Sequence, residues 1–372
     1  MKMKKVVLLA AVICGLCSCI KNETVLPSSE QYREIALKPF NSKSAMRAPI
    51  NGTTLPDDAR LGVFAFYNGA TPQKYFEDAM FGKKAGTDNT WAGITAAGAS
   101  RPYYWPTSGS LDFFAYYPKT GDVGVQVTYD SDTNPTKIYG FTGIAIDISS
   151  LQYDLMYSDM LLNRTSKTAE VGGIPLTLHH ALTQIVVNIK KTDATPKVVV
   201  TKVTVNNVFV KADGFHCSYI DGVDTTIKKA WTMWSWNSTN PGDERTPAFA
   251  IPNVQADTTT AAGKEGVEIS TTLKQFGDGA LIIPYPYPGF GNHQELECQT
   301  SLTIEYTFDN GGVESEVVHT IDLNKGITDV NAKARWEMAK KYTYNITIGL
   351  NQIEFEPTVD NWDDAAGKDI NL

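Results

Sequence analysis

Cys19 carries the most definite chemistry in the sequence. In Leu16-Cys17-Ser18-Cys19 an aliphatic residue and then small ones precede a cysteine, the arrangement of a bacterial lipobox. Cleavage before Cys19 would leave a lipid-modified N-terminus on the exported chain. Upstream, Lys2, Lys4 and Lys5 make a basic start, and Val6 to Leu16 is an apolar run of 11 residues. A membrane-spanning helix needs about 20, so this run reads as the core of an export signal over residues 1–18. Ile20-Lys21-Asn22-Glu23-Thr24 follows as a polar tether. The competing reading is an ordinary secretory signal with incidental cysteines. Apart from this signal no segment is apolar enough to span a membrane, so the expectation is a chain anchored by its lipid.

The other reactive side chains are sparse. Cys217 and Cys298 are the cysteines left in the folded part, and they read either as one disulfide or as two buried small hydrophobes. His179 and His180 adjoin, so on a strand they face opposite sides and cannot chelate one metal together. Asp57-Asp58, the pair Asp154 and Asp159, and the group Asp360, Asp363 and Asp364 lack the spacing of a calcium loop and read as solvated loop faces. Neither a metal nor a cofactor is expected. Trp231, Trp234 and Trp236 adjoin Asn237-Ser238-Thr239 and suggest either a sugar-stacking platform or core filling. On a regular strand Trp234 and Trp236 share a face and Trp231 takes the other. Gly289-Phe290-Gly291 is only a fragment of a dinucleotide loop, and Ser108-Gly109-Ser110 lacks the flanks of a nucleophile elbow. The expectation is a protein that is not an enzyme.

Composition agrees with a globular, exported chain. Of 372 residues 42% are hydrophobic and 20% charged, which excludes a disordered tail, a fibre and a coiled coil. The net charge is −8, with 41 acidic against 33 basic residues and no long basic run, so a nucleic-acid partner is not expected. Loss of Lys2, Lys4 and Lys5 with the signal leaves 30 basic residues and a net charge of −11. Length sets a prior of two domains of roughly 150 residues each.

The elements that must position these side chains are strands. Leu302, Ile304, Tyr306 and Phe308 alternate with polar residues, Asp309-Asn310-Gly311-Gly312 makes a turn, and Val313 to Leu323 returns as a hairpin. Tyr342 to Leu350 and Ile185 to Ile189 alternate in the same way, and Val198 to Val210 is rich in β-branched residues. Leu61 to Tyr67 and Leu111 to Tyr117 are strand-like runs in the first half. Asp329 to Lys340 is the one stretch with helical composition. Pro284 to Gly289 cannot lie in a central strand, because proline removes ladder donors. Many short strands separated by turn signals predict a mostly-β protein built as sandwiches. A boundary is expected near Gly172-Gly173, dividing residues 48–172 from 173–372.

The assembled pattern resembles the fimbrillin-like lipoproteins of Bacteroides-type bacteria, the subunits of the type V pilus. The residues that carry the resemblance are the lipobox at Cys19, Ser44 to Ala48, Leu61 to Tyr67, Tyr103-Tyr104-Trp105-Pro106, Leu111 to Pro118 and Asp154 to Tyr157. Leu176 to Leu182, Lys341 to Ile346 and Val359-Asp360-Asn361-Trp362 complete it. No single motif is specific; their order and spacing together are.

The resemblance implies two transthyretin-like β-sandwich domains in tandem and export to the outer membrane as an acylated (palmitate-bearing) precursor. It also implies an Arg-specific maturation protease that cuts between Arg47 and Ala48, removing residues 19–47 with the strand Tyr32 to Phe40. Arg33 and Arg60 are alternative basic sites. Partners would be other pilus subunits, and the assembled fimbria would serve adhesion and colonisation.

A sandwich missing one strand exposes unpaired backbone groups and an apolar groove until another strand supplies both. Ile353, Phe355 and Val359 alternate with polar residues near the C-terminus and form a candidate donor strand, although Pro357 interrupts its donors. The competing reading of the same residues is an ordinary last strand of the second sandwich. Two further readings stand beside the pilus subunit: a monomeric surface lipoprotein binding glycans through exposed aromatics, and an enzyme.

Overall fold

A computed structural model describes residues 33–40, 55–119, 126–131, 134–142, 146–147, 154–167, 172–193, 196–209, 211–212, 214–219, 227–228, 230–235, 245–251, 257–284, 300–309, 311–323, 336–349 and 353–361. At residues 40 and 209, between residues 126 and 147, between 211 and 249 and after 352 the description is of backbone alone. Among the described residues the chain forms 26 strands and no helix.

The first half carries β1 (Ala36–Phe40), β2 (Arg60–Asn68), β3 (Gln73–Lys83), β4 (Trp91–Gly93) and β5 (Ser110–Tyr117). There follow β6 (Gln126–Ser131), β7 (Asn134–Thr142), β8 (Ile146–Asp147), β9 (Met156–Ser158), β10 (Met160–Arg164) and β11 (Ile174–His180). Next come β12 (Thr183–Lys191), β13 (Lys197–Phe209), β14 (Lys211–Ala212), β15 (Gly214–Tyr219), β16 (Ile227–Lys228), β17 (Ala230–Ser235) and β18 (Arg245–Ala250). The remainder is β19 (Thr258–Thr259), β20 (Glu265–Glu268), β21 (Lys274–Gln275), β22 (Ala280–Ile282), β23 (Ser301–Asp309), β24 (Glu314–Asp322), β25 (Lys340–Ile348) and β26 (Ile353–Asn361).

Nine of these strands make one sheet in the order β16-β10-β5-β2-β3-β4-β1-β11-β9. Because β5 also pairs with β9, through Tyr116↔Tyr157 and Tyr117↔Met156, the sheet closes on itself. β1 is a link in that ring, antiparallel to β4 and parallel to β11.

The apolar runs of β2 and β5 are nearly continuous because both faces are buried. Leu61, Val63, Ala65, Leu111, Phe113 and Ala115 belong to one apolar cluster, and Phe64, Phe66, Phe114 and Tyr116 to another. The alternation of the two sets along each strand is the period-2 geometry of a strand expressed in packing. Phe64 and Phe114 stack at 4.5 Å between ring centres, directly opposite in the β2–β5 register.

In the second half β12 runs parallel to β25 over eight residue pairs, from Gln184↔Lys341 to Lys191↔Ile348, and β25 pairs with β26. A second sheet has the order β19-β20-β13-β23-β24. Ile185, Val187 and Ile189 of β12, Val203 and Val205 of β13, Leu302 and Ile304 of β23, and Tyr344 and Ile346 of β25 share one buried cluster. The expected hairpin is β23–β24, whose turn is closed by the Gly312 N–H donating to Asp309 Oδ1 at 2.7 Å.

The helical composition of Asp329 to Lys340 does not produce a helix where the chain is described. Residues 336–339 turn into β25, with Ala339 at φ 58. The local backbone groups bond to the sheets instead. The Ala339 N–H donates to the Leu182 carbonyl, and the Thr183 hydroxyl donates to the Glu337 carbonyl. Residues 329–335 lie outside the described residues.

Candidate functional site

The segment 33–40 is the part of the first half that is held from several sides. The Trp105 N–H donates to the Arg33 carbonyl and the Ile35 N–H donates to the Tyr103 carbonyl. Leu37 then stands opposite Trp91 of β4, while Leu37 to Phe40 register with Ile174 to Thr177 of β11. Ile35 and Leu37 are fully buried, in one cluster with Trp91, Trp105, Ile174 and Leu176. Burying two such side chains stabilises by about 1.5–3 kcal/mol each.

Polar side chains complete the hold. Arg33 Nη1 donates to the Ser166 carbonyl at 2.6 Å, and Lys84 pairs with Glu34 at 2.8 Å. Asn89 Nδ2 donates to the Pro39 carbonyl at 2.7 Å, and Asn89 Oδ1 accepts the indole N–H of Trp91 at 2.9 Å. At Gly173, φ is +129° and a Cβ would sit 2.8 Å from the carbonyl carbon of Leu37. Only glycine lets the start of β11 approach the β1 backbone this closely.

This arrangement explains how a proline enters a strand that has neighbours on both sides. Backbone groups of alternate residues point to the same side of a strand. Those of residues 33 and 35 pair toward Tyr103 and Trp105, and the carbonyl of residue 39 points toward Asn89. β4 ends at Trp91, opposite Leu37, so at residue 39 a side chain has replaced the neighbouring strand. The missing N–H of Pro39 therefore costs no ladder bond there.

The sequence-based sites fall as follows. Cys19, Arg47 and Ala48 lie outside the described residues, as do Trp236 and Cys298. Arg33 and Arg60 are both in paired backbone: Arg60 stands opposite Gly82 in the β2–β3 register, and its Nη1 donates to the carbonyls of Asp58 and Ala59. Ile353, Phe355 and Val359 lie on β26, opposite Ile348, Ile346 and Tyr342 of β25. β26 ends its sheet in the order β21-β12-β25-β26. Trp231 and Trp234 lie on β17, opposite Ser218 and Phe215 of β15, and Cys217 lies on β15 opposite Thr232.

The acidic pair Asp154 and Asp159 is not a solvated loop face. Asp154 is 4% and Asp159 7% exposed. His180 Nδ1 is 3.0 Å from Asp154 Oδ1, and His179 Nε2 is 3.2 Å from Asp159 Oδ2. The adjacent histidines do point to opposite sides of β11, and each meets its own carboxylate from the β9–β10 region. Burial of a polar side chain demands such a partner, and the partners lie 20 and 26 residues away, beyond what spacing reveals. Among the described residues no group of three or more His, Cys, Asp or Glu could hold a metal ion.

Asn89 and Gly173 were not evident as functional residues from the sequence. The available signal was Pro39 itself, since a proline inside a buried apolar strand implies a special partner at that position.

The sequence profile of the fimbrillin-like family matches residues 47–362. No curated protein sequence matches the chain. In fold the chain is similar to a fimbrial protein from Bacteroides vulgatus, with a TM-score of 0.51 and 16% identity over 89% of this chain and 99% of the other. It also resembles a putative cell adhesion protein from Bacteroides uniformis, with TM-score 0.46 and 15% identity over 88% and 99% of the two chains. The tip fimbrial protein Mfa3 from Porphyromonas gingivalis aligns with TM-score 0.38 and 12% identity, covering 89% of this chain and 100% of that one.

Proposed function

Because the chain belongs to the fimbrillin-like family, we propose that it is a structural subunit of a cell-surface fimbria that assembles with other subunits by strand exchange and serves adhesion. It is exported with the signal 1–18, acylated at Cys19 and held at the outer membrane until an Arg-specific protease cuts between Arg47 and Ala48. It then passes into the extracellular fimbria. Its two halves act as tandem transthyretin-like sandwiches, residues 48–172 with β11 completing the first sheet, and the rest of 173–372 forming the second.

The observation that carries this reading is the placement of segment 33–40. It closes the first sheet between β4 and β11, burying Ile35 and Leu37, yet it lies entirely upstream of Arg47. Arg47 is the single arginine between Phe40 and Leu55, and the family profile begins at it. Arg33 and Arg60 are poor substrates by comparison, because a protease must thread an extended chain and both sit in hydrogen-bonded ladders. Removal of residues 19–47 leaves 25 basic against 38 acidic residues, a net charge of −13. The cut leaves unpaired backbone on β4 and β11 and empties two apolar sites, which a strand from another subunit refills.

The test uses the full chain purified without its lipid. Brief exposure to an Arg-specific protease is expected to give a new N-terminus at Ala48 and a ladder of oligomers on an unheated denaturing gel. A stable monomer with Arg47 protected, or a cut without a ladder, overturns assembly by exchange. The glycan-binding lipoprotein then takes its place, to be judged by sugar binding in the Trp234→Ala variant.

A further inference from the structure

β24 is one edge of the sheet β19-β20-β13-β23-β24, and its register with β23 runs unbroken from Ser301↔Asp322 to Asp309↔Glu314. Just past its end the Leu323 N–H donates to the Thr300 carbonyl, directly opposite in the same register. In an antiparallel ladder such bonded pairs alternate with unbonded ones. The backbone groups of Val317, His319 and Ile321 therefore point to β23, and those of Glu316, Val318 and Thr320 point out to the edge. Among the described residues no further strand pairs there.

Free edges are ordinarily guarded by short length, a bulge, a proline or a lysine. β16, β19 and β21 end their sheets with two residues each, and β26 carries Pro357. β24 has nine residues and none of these devices. Its carboxylates stand toward its ends, and two of them are already engaged by the β19–β20 hairpin. Lys264 pairs with Glu316 at 2.7 Å, and Glu314 accepts the Ala261 N–H at 2.6 Å. Between them and Asp322, Val317 to Ile321 carries no acidic or basic side chain except His319. Ile321 and Val317 pack on the buried cluster, while Val318, at the midpoint of the strand, is 67% exposed.

We propose that β24 docks on β24 of a second copy, antiparallel about a two-fold axis through Val318, and so joins subunits side by side. A symmetric pair of this kind adds main-chain hydrogen bonds between two identical edges. Val318 meets its own copy, Glu316 lies opposite Thr320 of the partner subunit, and Val317 opposite His319 of the partner subunit. The contact uses neither segment 33–40 nor β26 nor the cut at Arg47. It therefore goes beyond the strand-exchange reading and stands or falls separately from it.

The register follows from the backbone and the charges. The outward groups belong to even-numbered residues, so a slip of one residue opposes outward groups with inward ones and makes no ladder. A slip of two either way shortens the ladder, and sets Glu316 opposite Val318 or opposite Asp322 of the partner subunit. Only the Val318 axis engages all nine residues and matches apolar with apolar at the centre. Its cost is Glu314 opposite Asp322 of the partner subunit at each end, a like-charge pair that salt screens.

Single cysteines read the axis directly, because only a residue on it meets its own copy. Chains lacking the signal and carrying Cys19→Ser are left uncut, and Val318→Cys, Glu316→Cys, Thr320→Cys or Val313→Cys is added. Opposed residues of a bonded antiparallel pair have Cα atoms about 5.5 Å apart, within the range a disulfide bridges. On oxidation Val318→Cys is expected to give a covalent dimer in which both linked peptides contain residue 318. Glu316→Cys and Thr320→Cys are expected to give none singly and a mixed dimer when combined. Val313→Cys, 70% exposed but off the axis, measures chance collision and is expected to trap far less.

Sedimentation of the uncut parent is expected to show a reversible dimer that tightens as salt rises. Val318→Lys sets two cations on the axis and is expected to abolish the dimer with the circular dichroism unchanged. Equal trapping at residues 313 and 318, self-trapping at 316 or 320, or a dimer that survives Val318→Lys overturns the pairing. So does a parent that stays monomeric at every concentration and salt.

Discussion

Asn89 joins two elements 50 residues apart by donating its side-chain amide to the Pro39 carbonyl at 2.7 Å while its oxygen holds the Trp91 indole. One side chain thus stands in for a strand that has ended. Asn89→Ala removes both bonds and leaves the buried Trp91 N–H and the Pro39 carbonyl without these partners. The uncut chain is expected to lose about 1–3 kcal/mol in chemical denaturation. Asn89→Asp keeps the acceptor for Trp91 but sets a carboxylate against the Pro39 carbonyl, so it should not restore the loss. Equal stability of Asn89→Ala and the parent would show that the bond contributes nothing.

Leu37 offers a test that separates the precursor from its product. It is fully buried in the cluster that contains Trp91 and Ile174. Leu37→Ala is expected to destabilise the uncut chain by about 2–5 kcal/mol. After cleavage at Arg47 residue 37 is gone, so the processed variant and the processed parent should assemble at the same rate. Denaturation before the cut and gel kinetics after it check the two halves. A difference that persists after the cut means the segment was not released.

Gly173 marks where β11 meets the backbone of β1. Gly173→Ala adds a Cβ 2.8 Å from the carbonyl carbon of Leu37 at a φ of +129°. Gly263→Ala, at φ +78° with open space around its Cβ, carries the backbone strain without the collision. The first variant is therefore expected to lower the denaturation midpoint of the uncut chain more than the second, the added loss being about 1–3 kcal/mol for overpacking. Equal losses would place the whole effect in the backbone and leave the β1–β11 contact uninvolved.

Much of this architecture was legible because a strand's own pattern fixes which face is buried. The alternation through Leu302 to Phe308 and the Asp309 to Gly312 turn gave the β23–β24 hairpin locally, and Leu61 to Tyr67 gave β2. Partners were not legible. The parallel union of β12 with β25 joins residues over 150 positions apart, and nothing in either run names the other. Asp154 and Asp159 read as solvated because their histidine partners are distant in sequence. Composition misled at residues 336–339, where hydrogen bonds to Leu182 and Thr183 outweigh helical propensity. The expected cut at Arg47 rests on resemblance alone, and Asn89 was not read from the sequence, where the one signal for it was a proline within an apolar strand.

Alkaline pH should loosen the packing beneath this site, through Tyr117 on β5. Burial first, and then the nearby carboxylates of Asp154 and Asp58, push the Tyr117 phenol from 10.0 up to about 12. Tyr342 on β25 is raised to about 12, again chiefly by burial, with the Glu337 backbone N–H pulling the other way. A folded value above the unfolded one means the stabilisation is fully present below the unfolded pKa, near 10, and is lost as pH rises through about 12. Denaturation midpoints of the uncut chain should therefore be steady up to about pH 10 and fall between there and about pH 12. Tyrosinate absorbance should show late-ionising phenols whose titration coincides with loss of the β-sheet circular dichroism. Tyr117→Phe removes one of these groups and should move the alkaline transition to higher pH. A transition unmoved by Tyr117→Phe would mean that ionisation of this buried phenol does not limit the fold at high pH.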